Sequence, residues 1–357
     1  MHKKIELIQV IRGIAALLVC SFHMKTLLNT PAFAYGNFFF GSGAIGVPFF
    51  FILSGFIIFY TTQNTARSVT SVRVFALKRV FRIVPLYYLI TLIWIVGLGQ
   101  VGYYLTRRPD LLLSALTFVP SFTSTVGPSF GFPPVAIGWT LAYEMLFYLI
   151  FCISLFFGKL RYAVLSFIIV SVVVGLPFLI GASVSFDASY AYGFNFRYLE
   201  VMASPVMLYF LLGVLLGWIY QSPFTIKSPT ITFLMVGVSL VYFWLAYFGI
   251  GHLSNNIFAN MLSCGALLFS LLMWHKNRPI FFFKPLVYLG DISYSVYLVH
   301  PLVIVFLPKI LRSVGFASLS KGPALFVLAI IVILIISIIS YEFLERKMLS
   351  RISRAIV

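Results

Sequence analysis

Charge is the scarcest property of this chain: 9% of its 357 residues are charged, while 61% are hydrophobic. A soluble domain carries roughly a quarter charged residues, so water is excluded as the main solvent. Acidic residues are scarcer still, 8 Asp and Glu against 25 Lys and Arg, which leaves a formal charge of +17. The basic residues are scattered through short segments between apolar runs. That distribution argues against a nucleic-acid partner and for the Lys/Arg bias of membrane proteins toward the cytoplasm. Cysteine is nearly absent. Cys20, Cys152 and Cys264 lie far apart inside apolar segments with no metal-ligand spacing, and they read as small buried side chains. The basic, apolar start MHKKIELIQVIRGIAALLVCSFHM lacks a small-residue cleavage site and carries Arg12 and His23. It reads as a retained first helix rather than a leader. No solenoid repeat and no low-complexity tract is present.

What the chain does have is apolar stretches of the length, about 20 residues, that a bilayer core requires. Turn residues and charges divide it into spans at 5–28, 43–62, 83–104, 138–157, 161–181, 204–221, 229–248, 255–274, 286–307 and 323–344. The stretch LLLSALTFVP (111–120) is too short to cross and is expected to be interfacial or re-entrant. The expected fold is all-α, a polytopic transmembrane bundle of about ten helices. A single domain over 1–357 with no fused extracytoplasmic domain is expected. Placing the N-terminus inside puts most basic residues, among them Lys3, Lys4, Arg73, Lys78, Arg346 and Lys347, on the inner side. Lys25, Arg107, Arg108, Arg197, Lys309, Arg312 and Lys321 remain outside. Both termini are therefore expected in the cytoplasm. Gly213 with Gly217, and Gly43 with Gly46, suit close helix packing.

An ionisable side chain at bilayer depth costs roughly 2.5–3.5 kcal/mol on insertion scales, so each needs a partner or a task. The sequence offers Arg12, His23, Glu144, Asp291 and His300. Arg12 and His23 are separated by three turns plus roughly 20°, which puts them on one face about 16 Å apart along the axis. Arg12 falls near the inner leaflet and His23 in the outer third. Arg79 and Arg82, in LKRVFRIVPLYY, stand one turn apart where the third span leaves the cytoplasm. Two guanidiniums on one face suit a phosphate. They equally suit an anchor on anionic lipid. Glu144 lies about two turns into the fourth span from outside, and His300 a little past the middle of the ninth. Each alone fits a structural hydrogen bond; together with His23 they predict a polar cavity in the outer half of the membrane.

These segments resemble the acyltransferase-3 family of bacterial membrane acyltransferases. The resemblance rests on Arg12 spaced to His23, FFFILSGFIIFY with Ser54 and Gly55, Arg79 with Arg82, GWTLAYEMLFYL with Glu144, and SYSVYLVHPLV with His300. It spans about residues 5 to 345. The ending YEFLE is similar to an E-x-P motif but has Leu344 where proline is usual, which puts a role for Glu342 in doubt. The resemblance implies an acyl-CoA-dependent O-acyltransferase of the bacterial inner membrane. Acetyl-CoA serves as donor and co-substrate, a free or lipid-linked extracytoplasmic glycan as acceptor, and no metal is involved. On the residues above, nucleotide phosphates are expected on Arg79, Arg82 and Arg12. His23 is the expected general base, with Glu144 orienting it or holding the acceptor. Ser54, Tyr143 and His300 are candidate supporting donors. The competing reading is a transporter or flippase with intramembrane charges along its path.

Overall fold

The computed structural model describes residues 4–121, 126–249, 257–278 and 280–348. Lys3, the expected start of the eighth span at 255 and the basic tail beyond 348 lie outside the described residues. Among the described residues, nine helices are long and apolar enough to cross a membrane, and Pro205–Gln221 adds a shorter apolar run. The ten are built on α1 Glu6–Met24, α2 Gly46–Thr62, α3 Val69–Gly97, α4 Trp139–Leu155, α5 Arg161–Val170 (part of the continuous span Gly158–Leu179), α6 Leu208–Gln221, α7 Pro229–Tyr247, α8 Ile257–Asn277, α9 Ser293–Ser313 and α10 Gly322–Ser340. No β-strand occurs among the described residues. The chain is a multi-pass membrane protein of the expected all-α class. The segment at 111–120 forms only the short helix Pro109–Thr117, which ends in a left-handed Phe118.

One boundary departs from expectation with consequences for function. The third helix starts at Val69 rather than 83, because the Ser68 hydroxyl caps it by accepting from the backbone N–H of Ser71 at 3.0 Å. No glycine or proline interrupts the chain before Pro85. Arg79 and Arg82 are therefore well inside a helix, not at its mouth. Their side chains can face a neighbour instead of solvent.

Close packing around glycines sets the frame. A Cβ on Gly213 would fall on the carbonyl of Ile52, one on Gly55 would meet the carbonyl of Phe210, and Gly217 sits against the Phe59 ring. Backbones of α2 and α6 thus touch, as small residues permit inside a bilayer. Gly213→Leu is expected to separate them at about 1–3 kcal/mol or more. A fall in melting temperature of the detergent-solubilised protein would record it, and an unchanged melting curve would refute the contact. On the other side of α1, the short helix Lys284–Asp291 lies with Gly290 against the backbone of Gln9, and Lys4 pairs with Asp291 at 2.6 Å. The buried Arg161 closes the far end of α2 by donating to the carbonyls of Thr62 at 2.9 Å and Thr65 at 2.6 Å. A cation on carbonyls at a helix C-terminus is a stabilising cap, so this buried arginine is structural.

Candidate active site

Helices α1, α2, α3, α4 and α9 surround a narrow cavity. Arg12, Ser54, Arg79, Arg82 and Glu144 all line it. Five of the expected residues, drawn from four helices far apart in sequence, thus meet in one place. Arg12 is only 9% exposed, and its guanidinium donates to Gln9 at 3.2 Å. Arg79 lies 5.2 Å from the ring centres of both Phe75 and Tyr148, a geometry in which aromatic faces offset the cost of a buried cation. Glu144 is held by two hydroxyls: Ser54 donates at 3.1 Å and Tyr148 donates from one turn along α4. Tyr294 donates to the Ile83 carbonyl at 2.7 Å, which ties α9 to α3 beside Arg82.

The lining carries three guanidiniums against one carboxylate. Arg82 lies within electrostatic range of both Arg12 and Arg79, and none of the three makes a salt bridge among the described residues. Like charges held together at low dielectric repel strongly. Such a cluster is stable when an anion completes it. Arg12, Ile57 and Arg82 also line a second cavity together with Lys4, Gln9 and Tyr60, so the arginine chamber opens toward the Lys4 end of the bundle. On its other side, Val47 and Phe51 are shared with a larger cavity of about 1,120 Å³ that Phe22, Trp139, Tyr209 and Asn260 help to line.

The histidines sit elsewhere. His23 lines a separate pocket with Leu27, Val303, Arg312 and Leu325, and its ring stacks on His300 with centres 5.2 Å apart. His300 is 1% exposed, and neither ring nitrogen makes a hydrogen bond among the described residues. Behind His300 stands Tyr297, centre to centre 5.8 Å, whose hydroxyl shares a 2.9 Å hydrogen bond with Thr140. Tyr297 and Thr140 both line the arginine chamber. The expected meeting of His23, Glu144 and His300 is therefore corrected: the two histidines pair with each other, and Glu144 belongs to the arginines. Glu144 bonds to Ser54 and Tyr148 and does not orient His23. Tyr143 is also displaced from its expected part, because its fully buried hydroxyl donates to the carbonyl of Pro128 at 2.8 Å. His300 is not among the residues lining the arginine chamber or the His23 pocket, and its ring stacks on that of His23.

Glu345 escaped the sequence reading, which weighed Glu342. Glu342 is occupied at the surface by Arg346 at 2.7 Å and Tyr288 at 3.0 Å. Glu345 is 6% exposed, accepts from Ser295, and lies within electrostatic range of Arg82 and Arg12. A signal existed: the buried residues of α10 are Leu325, Ala329, Ile333 and Ser337, and continuing that four-residue step reaches Tyr341 and Glu345. Glu345→Gln is expected to weaken anion binding in the chamber by several-fold through loosened arginines, whereas Glu342→Gln is expected to have little effect. Equal effects in a ligand-titration assay would remove Glu345 from the site. Among the described residues no three of His, Cys, Asp and Glu converge as metal ligands.

The bundle thus holds a cationic chamber with an anchored carboxylate and, beyond it, a stacked histidine pair. Residues 5–342 match the profile of the acyltransferase-3 family, described as an acyltransferase domain. The chain belongs to that family and is a membrane acyltransferase. It is 31% identical over 315 residues to the exopolysaccharide production protein ExoZ of Rhizobium meliloti (strain 1021), an alignment covering 87% of this chain and 90% of that protein. No solved structure matches the chain.

Proposed function

We propose that this protein moves an acyl group, acetyl in the first instance, from a CoA thioester to a hydroxyl of an exopolysaccharide or its saccharide precursor. The donor enters at the Lys4 end, a cytoplasmic placement that the distribution of Lys and Arg supports, and the acceptor arrives at the other end. The observation that carries this reading is the excess of guanidinium over carboxylate in a chamber enclosed by helices apolar enough to cross a membrane. Planar donors of that kind suit the nucleotide phosphates of CoA. The acceptor class rests on the relative named for exopolysaccharide production.

In the reaction, an imidazole nitrogen of His23 takes the proton of the acceptor hydroxyl as its oxygen attacks the thioester carbonyl carbon. The carbon–sulfur bond then breaks, and the departing sulfur takes the proton back from the imidazolium. The products are an ester and a free thiol, and the base is restored. His23 suits this task because an imidazole exchanges protons near neutrality.

Tyr297 and His300 stand between the chamber and His23, so a thioester arm that takes this route requires both rings to move, beginning with Tyr297 leaving its bond to Thr140. At rest this closure keeps the thioester from water approaching along the acceptor side. Tyr297→Ala is expected to raise thiol release without acceptor by several-fold; hydrolysis at the parent rate would contradict a closing role. The reading as a whole is tested by supplying proteoliposomes with acetyl-CoA and saccharide, measuring free thiol, and analysing by mass spectrometry the exopolysaccharides of cells with and without the chain. Acceptor-dependent thiol and a lost acetyl mass are expected. Solute movement without thiol release would make the protein a transporter.

A further inference from the structure

Lys4 lines the cavity at the mouth of the arginine chamber but not the chamber itself. It shares that mouth with Arg12 and Arg82, and no carboxylate lines it among the described residues. The rest of the wall is apolar or aromatic, with Ile5, Ile8, Phe56 and Tyr60. Three cations over such a wall suit a ligand with several phosphates and a flat base.

The Lys4 side chain is exposed, yet it is aimed. It stands just before α1, and its ammonium pairs with Asp291 at 2.6 Å. Asp291 ends the short helix Lys284–Asp291. A carboxylate there meets the negative end of the helix dipole, which disfavours it. An exposed ion pair also adds little to stability. The helix is nonetheless locked on α1: a Cβ on Gly13 would strike Leu289 and the backbone of Gly290, and one on Gly290 would fall on the Gln9 carbonyl. An acid set against its own helix dipole, on a helix held this closely, is best accounted for by the direction it gives the ammonium. One N–H of Lys4 goes to Asp291, which leaves two for a ligand.

Arg12 reaches back toward the same end, its guanidinium donating to Gln9, three residues nearer the N-terminus, at 3.2 Å. The cations thus run in order from Arg79, in the chamber alone, through Arg82 and Arg12, in both cavities, to Lys4, in the mouth alone. With its thioester leading, a CoA donor presents its phosphates in a matching order. The pyrophosphate comes first, and the monoester on the ribose 3′ oxygen comes last.

We propose that Lys4, aimed by Asp291, binds the ribose 3′-phosphate of the donor and selects CoA over carriers that lack that group. The inference rests on the acyl-CoA reading and deepens it. The arginines hold the pyrophosphate, which dephospho-CoA shares, and Lys4 reads the phosphate that dephospho-CoA lacks. A compact ammonium suits a monoester, whose free oxygens do not call for a planar fork. Asp291 does not line the cavity and acts as a positioning residue.

The test is equilibrium binding of CoA and of dephospho-CoA to the full-length protein in nanodiscs of neutral phosphatidylcholine. CoA is expected to bind about tenfold more tightly, the size of one charge-assisted contact. Lys4→Gln is expected to abolish that ratio by weakening CoA alone, with dephospho-CoA at the parent affinity, a pattern that misfolding would not give. Lys4→Arg keeps the charge and is expected to keep most of the ratio. Asp291→Asn is expected to narrow the ratio several-fold without changing dephospho-CoA binding. Equal affinities in the parent protein, or the parent ratio in Lys4→Gln, would overturn the inference; the parent ratio in Asp291→Asn would overturn the aiming role. A Lys4 effect confined to nanodiscs containing phosphatidylglycerol would assign the ammonium to lipid headgroups and overturn the inference as well. No acyl group is present in this measurement. Phosphate-dependent CoA binding by a protein that never releases thiol would therefore defeat the acyl-transfer reading alone. Thiol release from acetyl-CoA without a preference for the 3′-phosphate would defeat only the selection by Lys4.

Discussion

His23→Ala protein is expected to lose acyl transfer by about 10²–10⁴-fold, the usual contribution of a positioned general base, while reaching the membrane in normal amounts. The residue can be removed without collapse because its side chain is exposed to the cleft rather than packed in the core. Its loss should leave donor binding intact, since the arginine chamber is lined without it. The stacked neighbour gives the comparison that a structural role would fail. His300→Phe keeps a flat ring against His23 and should retain more activity than His300→Ala, which removes the stack. Transfer by His23→Ala at the parent rate would dismiss the base assignment.

The second large effect concerns the donor. Arg79→Gln and Arg82→Gln are each expected to raise the KM for acetyl-CoA by about 10- to 100-fold. That range corresponds to one hydrogen bond to a charged group, roughly 1.5–3 kcal/mol. Arg82 should be the more damaging of the two, because it lines both the chamber and the cavity that opens at the Lys4 end. Arg79 has the Phe75 and Tyr148 rings to hold it and lines only the chamber. Arg12→Gln should behave like Arg82→Gln, since Arg12 also lines both cavities. If the variants lower only the amount of protein in the membrane and leave KM alone, these arginines are topology anchors and the phosphate assignment falls.

Much of this site was readable from sequence because bilayer depth is nearly one-dimensional. Apolar run lengths place each ionisable residue along the membrane normal, and the cost of burying charge marks it as exceptional. That reasoning marks Arg12 and Glu144 and pairs Arg79 with Arg82, whereas Ser54 enters only through the family resemblance and Glu144 is expected with the histidines instead of the arginines. It was not enough to say which neighbours a residue faces around its helix axis. His23 and Glu144 were expected together from similar depth, yet Tyr297 and His300 of α9 stand between the two sites. Only the packing of α9 beside α1 decides that. The early start of α3 was missed for another reason. A polar, arginine-bearing stretch gives no apolar signal, although Ser68 offered a capping residue. Glu345 was passed over because attention fell on Glu342. The four-residue step that buries Leu325, Ala329, Ile333 and Ser337 runs on through the wide turn over Tyr341–Glu345 and reaches Glu345. Gly213 and Gly217, in contrast, are legible as close-packing residues and serve as such.

The account turns on donor and acceptor meeting from opposite sides of the bilayer. The direct test uses sealed proteoliposomes in which the protein has one orientation, with saccharide acceptor trapped inside and acetyl-CoA added only outside, at the Lys4 face. The account predicts free CoA thiol outside and acetylated saccharide inside, in equal amounts, with both lost in Arg82→Gln. Product that forms only when the two substrates share a compartment would contradict it.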